Sequence, residues 1–158
     1  MKKSILIAST LMLTSCYTYQ PLVNVISYTG VPQGTTAIML QYNLDDIKRA
    51  FISNGFLIQS MEGGFITDEK LLDEGTRAKY KVVQFDQASS ITCYWATTEK
   101  VASQIRMWQT AIAGYSTYQR DPMDWNQVIY DVGATRPKRV FDYAIQIVES
   151  NNFTYNFR

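Results

Sequence analysis

The sequence predicts an α+β fold: a single two-layer domain, an antiparallel meander sheet with two amphipathic helices on one face. Three observations carry this. Leu44, Ile47, Ala50 and Phe51 recur with the period of a helix, and Phe141, Ala144, Ile145 and Val148 repeat the pattern near the C-terminus. Between them the period falls to two, with Arg77, Lys79 and Lys81 alternating with Ala78, Tyr80 and Val82. Turn residues punctuate these runs at Glu62-Gly63-Gly64 and Asp73-Glu74-Gly75. Helices with one apolar stripe and a sheet with one apolar face bury those surfaces against each other.

Taken in order, residues 37–42 are a short apolar run and read as the first strand. Asn43 is a good N-cap, and Asp45 and Asp46 follow in the first turn, where the helix dipole favours negative charge. Ser53-Asn54-Gly55 ends this helix, with Gly55 suited to the left-handed position after the cap. Residues 56–61 and 65–68 read as a hairpin, and residues 89–98 repeat the alternation with Ile91, Cys93 and Trp95 on one side. Residues 101–113 are ambiguous. Val101, Ile105, Trp108 and Ile112 suit a helix, but the spacing of the preceding runs favours another meander strand. An irregular aromatic stretch follows over 114–133. Thr135 then reads as the cap of the last helix, with Pro137 near its start, and Asn151-Asn152 stops it. Residues 153–157 alternate again and suit a short closing strand.

At the other end of the chain, Lys2-Lys3 precede an apolar run over 5–13, about half the ~20 residues a helix needs to cross a bilayer. Leu13-Thr14-Ser15-Cys16 closes the run, and this arrangement resembles the lipobox of bacterial lipoproteins. The resemblance implies a signal peptide over 1–15, removal of that signal, and acylation of Cys16. Tyr17, in place of an aspartate after the cysteine, implies by the same resemblance the outer membrane in a diderm cell, otherwise the outer face of the plasma membrane. Residues 16–35, with Pro21, Gly30, Pro32 and Gly34, read as a lipidated tether reaching roughly 60 Å at ~3.3 Å per extended residue. Val23, Val25 and Tyr28 leave open an arm on a sheet edge instead. The domain is expected over 36–158.

Composition narrows the function classes. The chain of 158 residues is 46% hydrophobic and 18% charged, as in a globular protein. Its formal charge is +1, and loss of Lys2 and Lys3 would make it −1, which gives no electrostatic case for nucleic acid. Zero histidines removes the commonest general base and metal ligand and rules out a Cys–His pair at Cys93, so no catalytic residue, metal or cofactor is expected. Cys93, in a strand-like run, reads as a small buried hydrophobe.

Asn54 to Ile58 and Gly63 to Thr67, following a helix, resemble the repeat unit of envelope lipoproteins of the BamC kind. That resemblance implies a helix-grip architecture over about 37–150 and implies no particular partner. Two features remain for binding. Tyr115, Tyr118, Arg120, Trp125 and Tyr130 are residue types enriched at interface hot spots and lie in a long connecting segment. Arg136, Lys138 and Arg139 place cations in the first turn of the last helix, either solvated and locally paired or in contact with anionic lipid or glycan phosphate. The expected function is that of a non-enzymatic, lipid-anchored envelope protein binding another envelope component, a protein first. The alternative is a small-molecule or glycan carrier with a pocket between helices and sheet.

Overall fold

Among residues 22–113 and 121–158, which the computed structural model describes, eight strands and three helices form the α+β fold. They run β1 (Ala37–Leu40), α1 (Leu44–Ser53), β2 (Ile58–Met61), β3 (Gly64–Thr67), β4 (Lys70–Asp73), β5 (Thr76–Phe85), β6 (Ala88–Thr97), α2 (Glu99–Ala113), β7 (Asn126–Gln127), α3 (Thr135–Ser150) and β8 (Tyr155–Phe157). The antiparallel sheet has the order β2-β3-β5-β6-β1-β8, with β4 paired to β5 and β7 to β6. Its spine is the ten-residue ladder of β5 with β6, in register from Thr76 opposite Thr97 to Phe85 opposite Ala88.

The local signals act as the sequence predicts at α1. Asn43 Oδ1 accepts from the Asp46 amide at 2.9 Å. At the other end Gly55 takes a φ of +87°, so its own N–H reaches Ile52 O and the Phe56 N–H reaches Phe51 O. The Phe51 and Phe56 rings then meet edge-on at 5.5 Å, the apolar contact that accompanies this type of helix stop. The closing strand β8 pairs with β1.

The ladder registers put Ala78, Tyr80 and Val82 of β5 on the same face as Ile91 and Cys93 of β6, and all five are fully buried. Helices α1 and α3 cover that face, α3 lying on β5 and β6 and α1 on β3 and α3. Phe51, Phe56, Tyr80 and Tyr143 interlock there with centroids 5.4 to 6.5 Å apart. The Tyr80 hydroxyl donates to Val140 O at 2.7 Å, so the largest fully buried ring brings its polar atom to a partner.

Three expectations are corrected. Residues 101–113 are helix and not strand: α2 begins at Glu99, but Ala102 is the only fully buried residue among its described side chains. Apart from Ala102, its described apolar residues are not fully buried, which blurs the period. Thr135 does not cap α3; it is the first helical residue, and Ala134 at the cap position supplies no side-chain acceptor. Residues 22–35, expected to belong to a tether, lie along the domain, with Val23, Val25, Tyr28 and Val31 packed against the core. Gln146 of α3 fastens this arm from both ends of its amide, accepting from the Ile26 N–H at 2.9 Å and donating to Asn24 O at 3.1 Å.

Candidate functional site

A cleft of about 840 Å³ opens between the start of α2, the N-terminus of α3 and the β4–β5 turn. The turn is built for close approach. A Cβ on Gly75 would lie 2.9 Å from Val101 Cγ2 and 3.3 Å from Arg136 Nε, so glycine lets both helices close on the turn backbone. Asp73 Oδ1 accepts from the Gly75 amide at 2.8 Å and fixes the turn, while the Thr98 N–H donates to Gly75 O at 3.3 Å and ties α2 to it. Lys100, Val101 and Gln104 of α2 form one wall and Thr135, Arg136 and Pro137 of α3 the opposite one. Thr76 and Trp95 line the cleft from the sheet.

The charges are unevenly spent. Glu74 pairs with Lys100 at 3.1 Å, and Asp73 lies 3.3 Å from Arg139 Nε. Arg136 has neither an ion-pair nor a hydrogen-bond partner among the described residues. On the sheet side of the same cleft the Thr76 hydroxyl is fully buried and likewise without a partner among the described residues.

The three predicted cations thus have different fates. Only Arg136 faces the cleft as an unpaired charge. Lys138 is bonded to Asp142, to Ser27 Oγ at 2.9 Å and to Tyr28 O at 3.3 Å, and so clamps the arm to α3. Burial pushes the Asp142 carboxyl up, against the pull of Lys138. Arg139 reaches Asp73 and, at 3.4 Å, Val23 O.

Of the aromatic candidates, Tyr130 is a core residue and not a surface anchor: it is 3% exposed, meets Phe141 edge-on at 5.4 Å, and exchanges backbone bonds with Gly34 and Thr35. Trp125 lies against the wet face of β5, its ring 4.5 Å from Lys79 Nζ and 4.9 Å from the Arg77 guanidinium carbon. Cys16, Tyr115, Tyr118 and Arg120 lie outside the described residues.

A second feature was missed with α2. Met107 and Trp108 on this helix are 72% and 69% exposed. Arg106 pairs with Glu99 at 3.1 Å and with Asp121 at 2.7 Å, joining the helix to the point where the chain re-enters the described structure. The Met123 amide and then Arg106 hold the Asp121 carboxyl below its usual range. Reading 101–113 as a strand hid Lys100, Gln104 and Trp108 together; Glu99 at a first turn and a fifteen-residue span are the signals that favour the helix.

Among the described residues no group of His, Cys, Asp and Glu side chains is arranged to hold a metal ion, and no helix is long and apolar enough to cross a membrane. No family model matches the chain, and no curated protein or solved structure is significantly similar to it.

Proposed function

We propose that this chain is a non-enzymatic, lipid-anchored cell-envelope protein that binds another envelope protein through the outer face of α2 and the segment that follows it. The anchor is Cys16, on the lipobox resemblance. The observation that carries the binding surface is the exposure of Met107 and Trp108 side by side on a helix with one buried residue among its described side chains. Tryptophan is over-represented among residues that dominate interface energies, and methionine adapts to an irregular partner surface. Such side chains cost the fold little when removed, so they are not there for stability. The chain between α2 and Asp121 carries Tyr115, Tyr118 and Arg120 and extends the same composition. The alternative, a ligand between helices and sheet, finds the space between α1, α3 and the sheet filled by the interlocked rings of Phe51, Phe56, Tyr80 and Tyr143, and keeps open only the cleft between α2, α3 and the end of β5.

Site-specific photo-crosslinking in intact cells tests the reading. A crosslinker at position 108 is expected to give a discrete adduct with one envelope protein, absent when it is placed at Leu57, which is 74% exposed but next to β2. Binding of that purified partner should weaken at least tenfold in Trp108→Ala, about 1.4 kcal/mol. Equal adducts from both positions, or unchanged binding by Trp108→Ala, would refute it.

A further inference from the structure

We propose that the cleft between α2 and α3 is a binding site for a phosphate group carried on a larger molecule, with Arg136, the free end of α3 and Thr76 as its ligands. Helix α3 has sixteen residues, no side-chain cap and no acidic residue in its first turn. Because Pro137 has no N–H, the amides of Thr135 and Arg136 remain at that end, where the dipole favours an anion. A cation at the same place is disfavoured unless an anion lies between it and the helix. Arg136 is such a cation, and it stays unpaired although two carboxylates line the cleft.

Thr76 points to a ligand independently of the helix. It lies on β5, 0% exposed, lines the cleft, and its hydroxyl has no hydrogen-bond partner among the described residues. Buried hydroxyls are rarely left unpaired. Arg139 adds one more donor: its Nε is 3.3 Å from Asp73 Oδ2 but off hydrogen-bond geometry, so that N–H is also unspent.

Two amides, a guanidinium, a hydroxyl and the Arg139 N–H exceed the two oxygens of a carboxylate and suit the several oxygens of a phosphate. A cleft of about 840 Å³ is far larger than the anion alone, and Trp95, Val101 and Pro137 offer apolar contact to whatever bears it. The bearer is a phospholipid headgroup or a soluble phosphoester. The headgroup source, unlike the phosphate chemistry, rests on the acyl anchor proposed above: Val23 of the arm bonds to Leu72 and Arg139, at the edge of the cleft.

Thermal unfolding of the full chain in neutral detergent, at constant ionic strength, tests this. Sodium phosphate or glycerol phosphate is expected to raise the midpoint by several degrees over sodium chloride. Thr76→Val should leave the ligand-free midpoint unchanged or higher and remove the shift, and Arg136→Gln should weaken apparent affinity at least tenfold. A larger shift with phosphatidylglycerol than with phosphatidylcholine mixed micelles, beyond that of glycerol phosphate, assigns the headgroup; an equal shift with glycerol phosphate assigns a soluble phosphoester. No shift with any of these probes overturns the proposal, as does a shift that survives in both variants. The phosphate arms do not depend on Trp108 or on acylation, so their failure is separate from failure of the protein-binding reading.

Discussion

A methyl group added to Gly64 would lie 2.0 Å from the Val82 carbonyl oxygen, inside the β3–β5 pairing, and the atom it meets is backbone that cannot swing aside. Its neighbour Gly63 meets nothing within 4 Å, but holds a φ of +73° that an L side chain tolerates poorly. Gly63→Ala is therefore expected to cost about 1 kcal/mol, and Gly64→Ala about 2 to 3 kcal/mol or more; urea unfolding of the two variants checks the order. The sequence reading put both glycines in one turn, and only the first is there for the turn. The reason for the second is a carbonyl eighteen positions away, which no local pattern carries. Cys93 is a simpler case. Burial pushes its thiol up, so the neutral form persists and the sulfur stays out of reach at the centre of the β5–β6 ladder. A thiol reagent is expected to modify it only at the rate of global opening, at least a hundredfold slower in buffer than in denaturing urea. Fast labelling of the folded protein would show that β6 opens alone.

At the scale of elements, legibility followed burial. Helices α1 and α3 each carry a buried apolar stripe, with Ile47, Ala50 and Phe51 on one and Phe141, Ala144, Ile145 and Val148 on the other, and both are readable as a period. Helix α2 buries Ala102 and exposes Met107 and Trp108, so among its described residues no apolar stripe aligns with a core and the period resembles that of the strands before it. The arm over 22–35 was hard to read for a related reason. Its fastening is by polar atoms of α3, Gln146 and Lys138, whose role depends on where the arm returns in space. Gln146→Ala removes two such bonds at once and is expected to cost about 1 to 2 kcal/mol. The loss should be local: hydrogen exchange at the Ile26 amide rises by tenfold or more while the β5–β6 ladder keeps its protection. Uniform loss of protection would mean the arm is part of the cooperative core.

For the molecule as a whole, the docked arm changes what an acyl anchor at Cys16 would do. A free tether over 16–35 would let the domain range roughly 60 Å from the bilayer, as a flexible display. With the chain fastened from Val23 onward, by Leu72 and then by Gln146 and Lys138, only residues 17–21 separate Cys16 from the described arm. Their fully extended span is about 20 Å at ~3.3 Å per residue, so a lipid on Cys16 would be close-coupled to the folded body. The same end of the molecule carries β4, Arg139 and the cleft, since Val23 bonds to Leu72 and Arg139. Anchoring would thus orient the domain as well as retain it, placing the unpaired Arg136 on the membrane side. Neutron reflectometry of the acylated protein on a supported bilayer is expected to find protein density beginning within about 20 Å of the headgroups. A spacer of Gly-Ser repeats inserted between Pro21 and Leu22 should widen that gap without altering thermal stability, because it leaves every arm contact in place. A gap of 60 Å in the unmodified protein would mean the arm is released at the membrane. Cys16→Ser protein that remains in the membrane pellet would remove the anchor from the argument altogether.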